Sequence, residues 1–179
     1  MEEQMVSKTQ SEEKLKEDVV TSEELEGLSS LEQANKITRK YVLWSAGGGL
    51  IPVPIVDLAA IYAAQVTMIT KMSKVYGIDF SEHKFKNVLM PLFGSLGLVP
   101  VTTGILASAV KFIPGIGHFA GSVSLPVMAG AITYATGKIF TSHFETGGTL
   151  FDFNPEKMKE HYKKLYKEGK NVAKDAAAS

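Results

Sequence analysis

Apolar residues recur at three- and four-residue spacing along most of this chain, which is the period of helices packed on one face. Residues 1 to about 28 are the exception, being mainly acidic and polar. There, Leu15, Val19, Leu25 and Leu28 form only a sparse helical stripe. Ser30 is placed to cap a helix starting near Leu31, with Glu32 and Gln33 in its first turn. This helix carries Ala34, Ile37, Tyr41, Val42 and Trp44, and Gly47-Gly48-Gly49 should break it. Pro52 and Pro54 prevent its immediate resumption. A second helix is predicted from Val56 to about Tyr76, with Leu58, Ile61, Tyr62, Gln65, Ile69 and Met72 on one face. Lys71 and Lys74 suit its C-terminal dipole, and Gly77 ends it.

Ser81 caps a further helix that leads into the least polar stretch of the chain. From Asn87 to Gly137 the only full charge is Lys111. Lys111 to His118, KFIPGIGH, has the composition of a tight turn. The tract on each side of Lys111 is long enough for a bilayer core, which takes roughly 20 apolar residues. The expectation is a helical hairpin with arms at about 87–110 and 116–140. Gly, Ser and Thr dilute its hydrophobicity. Gly130 and Gly137 lie one heptad apart, and Gly94, Gly97 and Gly104 offer a second seam of the kind that lets helices approach closely. Two readings remain: an arm that faces lipid, and a tightly packed hairpin that faces its own protein. Phe140–Asn154 reads as a connector, and Asn154-Pro155 starts a last helix running to about Ala178. Met158, Tyr162, Leu165, Tyr166 and Val172 are expected on one face of that helix, which holds seven Lys against three Glu and one Asp. Such a helix suits an anionic membrane surface, and equally suits a solvated outer position.

The predicted class is therefore all-α: an apolar helical bundle with a central hairpin, flanked by charged amphipathic helices. Its parts are an acidic tail at 1–29, partly disordered or helical, an apolar helical domain at 30–145, and a connector with a basic helix at 146–179. The 179 residues suit one domain. A formal net charge of +0 gives no reason to expect nucleic acid as a partner. The absence of Cys excludes disulfides and thiolate metal sites. The polar, acidic start lacks the basic and apolar regions of a signal peptide, so none is expected.

No catalytic constellation is legible. Gly47–Gly49 lacks the Gly-Lys-Ser/Thr of a phosphate loop, and Thr136-Gly137-Lys138 lacks the upstream glycine and the following hydroxyl. The four histidines show no ligand spacing, and no nucleophile elbow occurs. The expectation is a non-enzyme with no catalytic, cofactor-binding or metal-binding residues. Two features do suggest function. Lys36, Arg39 and Lys40 precede Tyr41 and Trp44 at an apolar boundary, which suits membrane-interface anchors and equally suits an amphipathic helix end with a core Trp. Asp57, the only full charge between Lys40 and Lys71, suits either a helix first turn or an intramembrane carboxylate.

Leu50-Ile51-Pro52-Val53-Pro54 with Asp57-Leu58, then Gln65-x-x-Met68-Ile69, Tyr76-Gly77 and Lys111-Phe112-Ile113-Pro114-Gly115-Ile116-Gly117, resemble the YcjF-like domain over roughly residues 34–145. That bacterial domain of unknown function occurs in inner-membrane proteins and behind Era-like small GTPase domains. The resemblance implies an α-helical, membrane-associated protein at the bacterial inner (cytoplasmic) membrane or its cytoplasmic face. It marks Pro52, Pro54, Asp57, Pro114, Gly115 and Gly117 as motif positions without assigned roles. This chain carries no GTPase domain, so a small GTPase would be a separate partner, by analogy. Membrane lipid or a second copy of the chain are the other partners considered. The functional expectation is a non-enzymatic membrane-associated scaffold or adaptor. The alternative is a pore-forming, toxin-like protein that holds its apolar hairpin inside amphipathic helices.

Overall fold

The computed structural model describes residues 20–48, 58–98 and 125–178. These are helical almost throughout, with no strand among them. A 3-10 turn, Glu23–Leu25, precedes five helices: α1 (Ser30–Leu43), α2 (Leu58–Tyr76), α3 (Glu82–Ser95), α4 (Leu125–Glu145) and α5 (Pro155–Ala177). The all-α expectation holds.

The capped N-termini have local chemical causes. At α1 the cap is Ser29 rather than Ser30. Only Ser29 has Glu32 at the third helical position, and the two close a capping box: Glu32 N–H donates to Ser29 Oγ at 3.4 Å and Ser29 N–H to Glu32 Oε2 at 2.9 Å. Ser81 caps α3 by accepting from Lys84 N–H, and Asn154 caps α5 by accepting from Lys157 N–H at 3.2 Å. Pro155 follows Asn154 at the first helical position, where its missing N–H costs nothing.

The helix ends depart further from expectation. Helix α1 does not stop before the Gly triplet but continues as one π turn, Trp44–Gly48. Helix α3 stops at Ser95, so no single helix spans 87–110. Gly97 sits at φ +74°, where a side chain would be strained, and its N–H donates to Gly94 O at 3.0 Å. Leu98 N–H donates to Phe93 O at 3.1 Å, completing a Schellman motif. The same closure ends α2 at Gly77 and α4 at Gly147. The second arm therefore runs beyond 140 to Glu145, and the true connector is 146–154. Residues 99–124, including the Lys111–His118 turn, lie outside the described residues.

Helix α4 is the axis of the bundle and packs against α1, α2, α5 and the π turn. It buries residues around most of its circumference, including Val127, Ile132, Ala135, Ile139, Phe140 and Phe144. Its apolar character is thus satisfied by protein. Among the described residues, no helix is long and apolar enough to cross a membrane, which removes the described part of the hairpin as a spanning element.

Aromatic rings fill the other half of the core. Phe140 lies 5.5 Å from Phe85, 5.6 Å from Phe144 and 4.8 Å from Phe153, centroid to centroid. These offset and tilted contacts tie α3, α4 and the 146–154 connector together. Helix α3 also packs along α5. The basic helix is therefore part of the bundle: Tyr162 and Ala173 are fully buried and Leu165 nearly so.

Candidate functional site

Glycines set how closely the helices approach α4. A Cβ on Gly130 would stand 2.8 Å from the Cβ atoms of both Ala46 and Ala173, so α4, the π turn and α5 meet there almost backbone to backbone. One heptad on, a Cβ on Gly137 would collide with the Thr38 side chain of α1. The expected Gly130–Gly137 seam is real, and it faces α1, the π turn and α5. The second expected seam is not formed by its described members. A Cβ on Gly94 would meet nothing within 4 Å, and Gly97 serves the turn; Gly104 lies outside the described residues.

Beside Gly130 lies a buried polar cluster. Gln65 Nε2 donates to Thr133 Oγ1 at 2.9 Å, and Ser45 Oγ lies 3.0 Å from the same oxygen. Thr133 Oγ1 donates to Ala129 O at 2.9 Å. One hydroxyl of α4 thus joins α2 and the π turn. Gln65 Oε1 is buried and has no hydrogen-bond partner among the described residues. Further along α4, Thr136 Oγ1 lies 3.0 Å from Tyr162 OH. Burial pushes the Tyr162 phenol well above its ordinary value, with the Thr136 bond acting in the opposite direction. Tyr76 is also raised, by burial first and then by its 2.6 Å bond to Glu145.

These contacts fix which chain ends share one end of the bundle. Ser45 and Ala46 of the π turn, Gln65 near the middle of α2, Thr133 near the middle of α4 and Ala173 near the end of α5 lie at one level. On the side of this level where α1 ends, the described chain reaches Gly48 and resumes at Leu58 and at Leu125, about two helical turns before Gln65 and Thr133. Two of the least polar sequence segments, 49–57 and 99–124, therefore connect to it by covalent continuity. Close to Ala46 and Ala173 in sequence, Leu43 is 40% exposed, Val172 39% exposed and Trp44 half-buried.

The five anchor candidates divide. Lys36 Nζ donates to Glu24 O at 2.6 Å, and Lys40 Nζ pairs with Glu24 Oε1 at 2.6 Å. Tyr41 is fully buried in the core. Arg39 is exposed, and Trp44 is half-buried at the polar-cluster end. The acidic segment thus meets the basic face of α1: the Lys40 ammonium, then the Thr21 amide, hold the Glu24 carboxyl below its ordinary range. Lys71 Nζ donates to Val20 O at 3.1 Å, and Val20 is buried. Residues 20–28 are therefore docked on the bundle through Val20 and Glu24. Sequence reading misses Glu24, although Lys36 and Lys40 share a helix face that an acid could bridge. Thr133 and Ser45 carry no sequence signal beyond being small and polar in an apolar setting.

Pro52, Pro54, Asp57, Pro114, Gly115 and Gly117 lie outside the described residues. Among the described residues, no three His, Asp or Glu side chains are grouped to hold a metal ion. The arrangement that remains is one of packing and position: a polar-knotted bundle end from which low-polarity segments leave.

A family model, the domain of unknown function DUF697, matches residues 21–171. "Magnetosome membrane protein 22" of Magnetospirillum gryphiswaldense is 38% identical over 151 residues, covering 81% of this chain and 77% of that protein. No solved structure matches. The matched span begins in the docked acidic segment and ends within α5, so it takes in the first four described helices and most of the fifth, and the chain belongs to the DUF697 family.

Proposed function

We propose that this protein is a non-enzymatic, membrane-associated helical scaffold. The observation that carries the reading is its 38% identity, over most of both chains, to a protein named as a magnetosome membrane protein. The distribution of charge supports it. Segments 49–57 and 99–124 hold one acid, Asp57, and one base, Lys111, while the described helices bear charged outer faces. Membrane contact on this reading is made at the Ser45–Gln65–Thr133 end, through the Pro52–Asp57 and Pro114–Gly117 motifs, with α4 remaining inside protein. The bacterial cytoplasmic membrane, or a membrane derived from it, is the proposed location.

Fractionation of bacteria expressing the full chain tests this. The protein should sediment with membranes and be released by detergent. Full recovery in the high-speed supernatant would overturn the reading. The finer proposal is an adaptor whose partner is a separate small GTPase, the class implied by the YcjF-like resemblance. Its test is co-purification from detergent-solubilised membranes with and without a non-hydrolysable GTP analogue, and nucleotide-independent absence of any GTPase would remove that part alone.

A further inference from the structure

We propose that the Ser45–Gln65–Thr133 cluster is a binding site for one ordered water, which donates its two hydrogens to Gln65 Oε1 and Ser45 Oγ and so ties the π turn to α2. This site is independent of membrane association.

The hydrogens of the cluster can be followed one by one. Each hydroxyl has one hydrogen to give and two lone pairs to receive. Thr133 Oγ1 gives its hydrogen to Ala129 O at 2.9 Å. Its lone pairs therefore receive Gln65 Nε2–H at 2.9 Å and the Ser45 hydroxyl at 3.0 Å. This fixes Ser45 as the donor in its contact and leaves Ser45 Oγ with lone pairs only. Gln65 Oε1 is in the same condition, being buried with no hydrogen-bond partner among the described residues. Turning the Gln65 amide over does not remove the mismatch. It would bring Oε1 to Thr133, whose one hydrogen goes to Ala129 O, and set two N–H groups where Oε1 now stands.

Two acceptors on two different elements thus meet around one Thr133 oxygen, and each calls for a donor. A water molecule has one hydrogen for each of them. Buried waters in proteins satisfy polar groups of this kind, which are costly to leave unpaired. A bare cation suits the site poorly, because no carboxylate takes part in the cluster. Gln65 and Thr133 are fully buried, whereas Ser45 is half-buried, so Ser45 is the member nearest solvent. Ser45 also lies in the π turn, Trp44–Gly48, a winding that recurs at functional sites. That turn meets α4 directly, through Ala46 against Gly130. The water gives it a second link to α2, besides the one through Thr133. No titratable side chain is among the partners, so occupancy should not vary with pH.

The test needs no variant in its first arm. A crystal structure of the full-length protein, at a resolution that shows ordered solvent, should place a density peak about 2.7–2.8 Å from both Gln65 Oε1 and Ser45 Oγ. In solution, Overhauser spectra of isotope-labelled protein should show a cross-peak between a long-lived water and the Gln65 side-chain amide, identified by its disappearance in Gln65→Met. Ser45→Ala keeps the Gln65–Thr133 bond but removes one of the two acceptors, and the water cross-peak should be lost. Density at Gln65 Oε1 that belongs to a protein donor, or no density there at all, would overturn the water site. A water on Gln65 Oε1 alone, out of reach of Ser45 Oγ or persisting in Ser45→Ala, would overturn the link to the π turn. None of these outcomes alters the membrane reading, which fractionation tests separately.

Discussion

Replacing Gly137 with Ala tests whether close packing on α1 dictates the small residues of α4. In an isolated helix the change should stabilise by about 1 kcal/mol, because Ala loses less backbone entropy than Gly. Here the new Cβ would lie 2.9 Å from Thr38 Cβ, and closer still to Thr38 Cγ2 and Oγ1. Carbon atoms pack best at about 3.5–4.0 Å, so α1 and α4 must separate or Thr38 must turn. Turning Thr38 would sacrifice its 2.8 Å bond to Ala34 O. Overpacking of this kind costs about 1–3 kcal/mol, so the net effect is a destabilisation near 1 kcal/mol. That corresponds to a fall of about 2–4 °C in Tm for a chain of this size. In a Thr38→Ala background the two nearest atoms are gone and only the Cβ contact at 2.9 Å remains, so Gly137→Ala should cost clearly less than in the wild type. The coupling between the two positions is then about 1–2 kcal/mol. Urea titrations followed by far-ultraviolet circular dichroism, with m-values compared, measure all four proteins. Equal effects of Gly137→Ala in both backgrounds, within about 0.3 kcal/mol, would refute the close approach.

Thr133→Val should cost about 1–3 kcal/mol by leaving Gln65 Nε2 and Ser45 Oγ without their shared acceptor. Adding Gln65→Leu should recover much of that, since both partners are then apolar, and urea midpoints decide it. Asn154→Ala should cost about 1 kcal/mol through loss of the α5 cap, visible as a lower midpoint with unchanged m. Glu24 titrates below its ordinary 4.5 because Lys40 and the Thr21 amide favour its charged form. Its contribution is therefore complete above 4.5 and is lost as pH falls through its lower folded value. Glu24→Gln should flatten the acid limb of stability against pH in that window, and an unchanged limb would remove Glu24 from the account.

The local elements are legible in the sequence because their causes are local. Ser81, Asn154-Pro155 and Gly77 announce helix ends through bonds made within a few residues. The Gly130–Gly137 spacing likewise marks a close seam without naming its partners. Other boundaries mislead for equally local reasons. Gly97 with Pro100 beyond it is a helix stop, but the apolar residues on either side mask it as one long arm. Ser29 rather than Ser30 is the cap, because only that spacing brings Glu32 back to the cap amide. The Gly triplet reads as a breaker, yet helical winding continues to Gly48, where Ala46 packs against Gly130.

Sequence alone determined an all-α chain with charged flanks and an uncharged middle, since composition and periodicity set which faces must be buried. It did not determine what buries them. An apolar helix such as α4 satisfies the same pattern against lipid or against protein, because hydrophobic burial is not directional. Tertiary structure decided for protein in α4, through α1, α2, α5 and the π turn. It also decided which cations remain outside: Glu24 engages Lys36 and Lys40, sixteen or fewer residues away in sequence, while Lys167 and Lys174 stay exposed at the other flank. Charges choose partners by proximity in space, and proximity is fixed only when the helices pack.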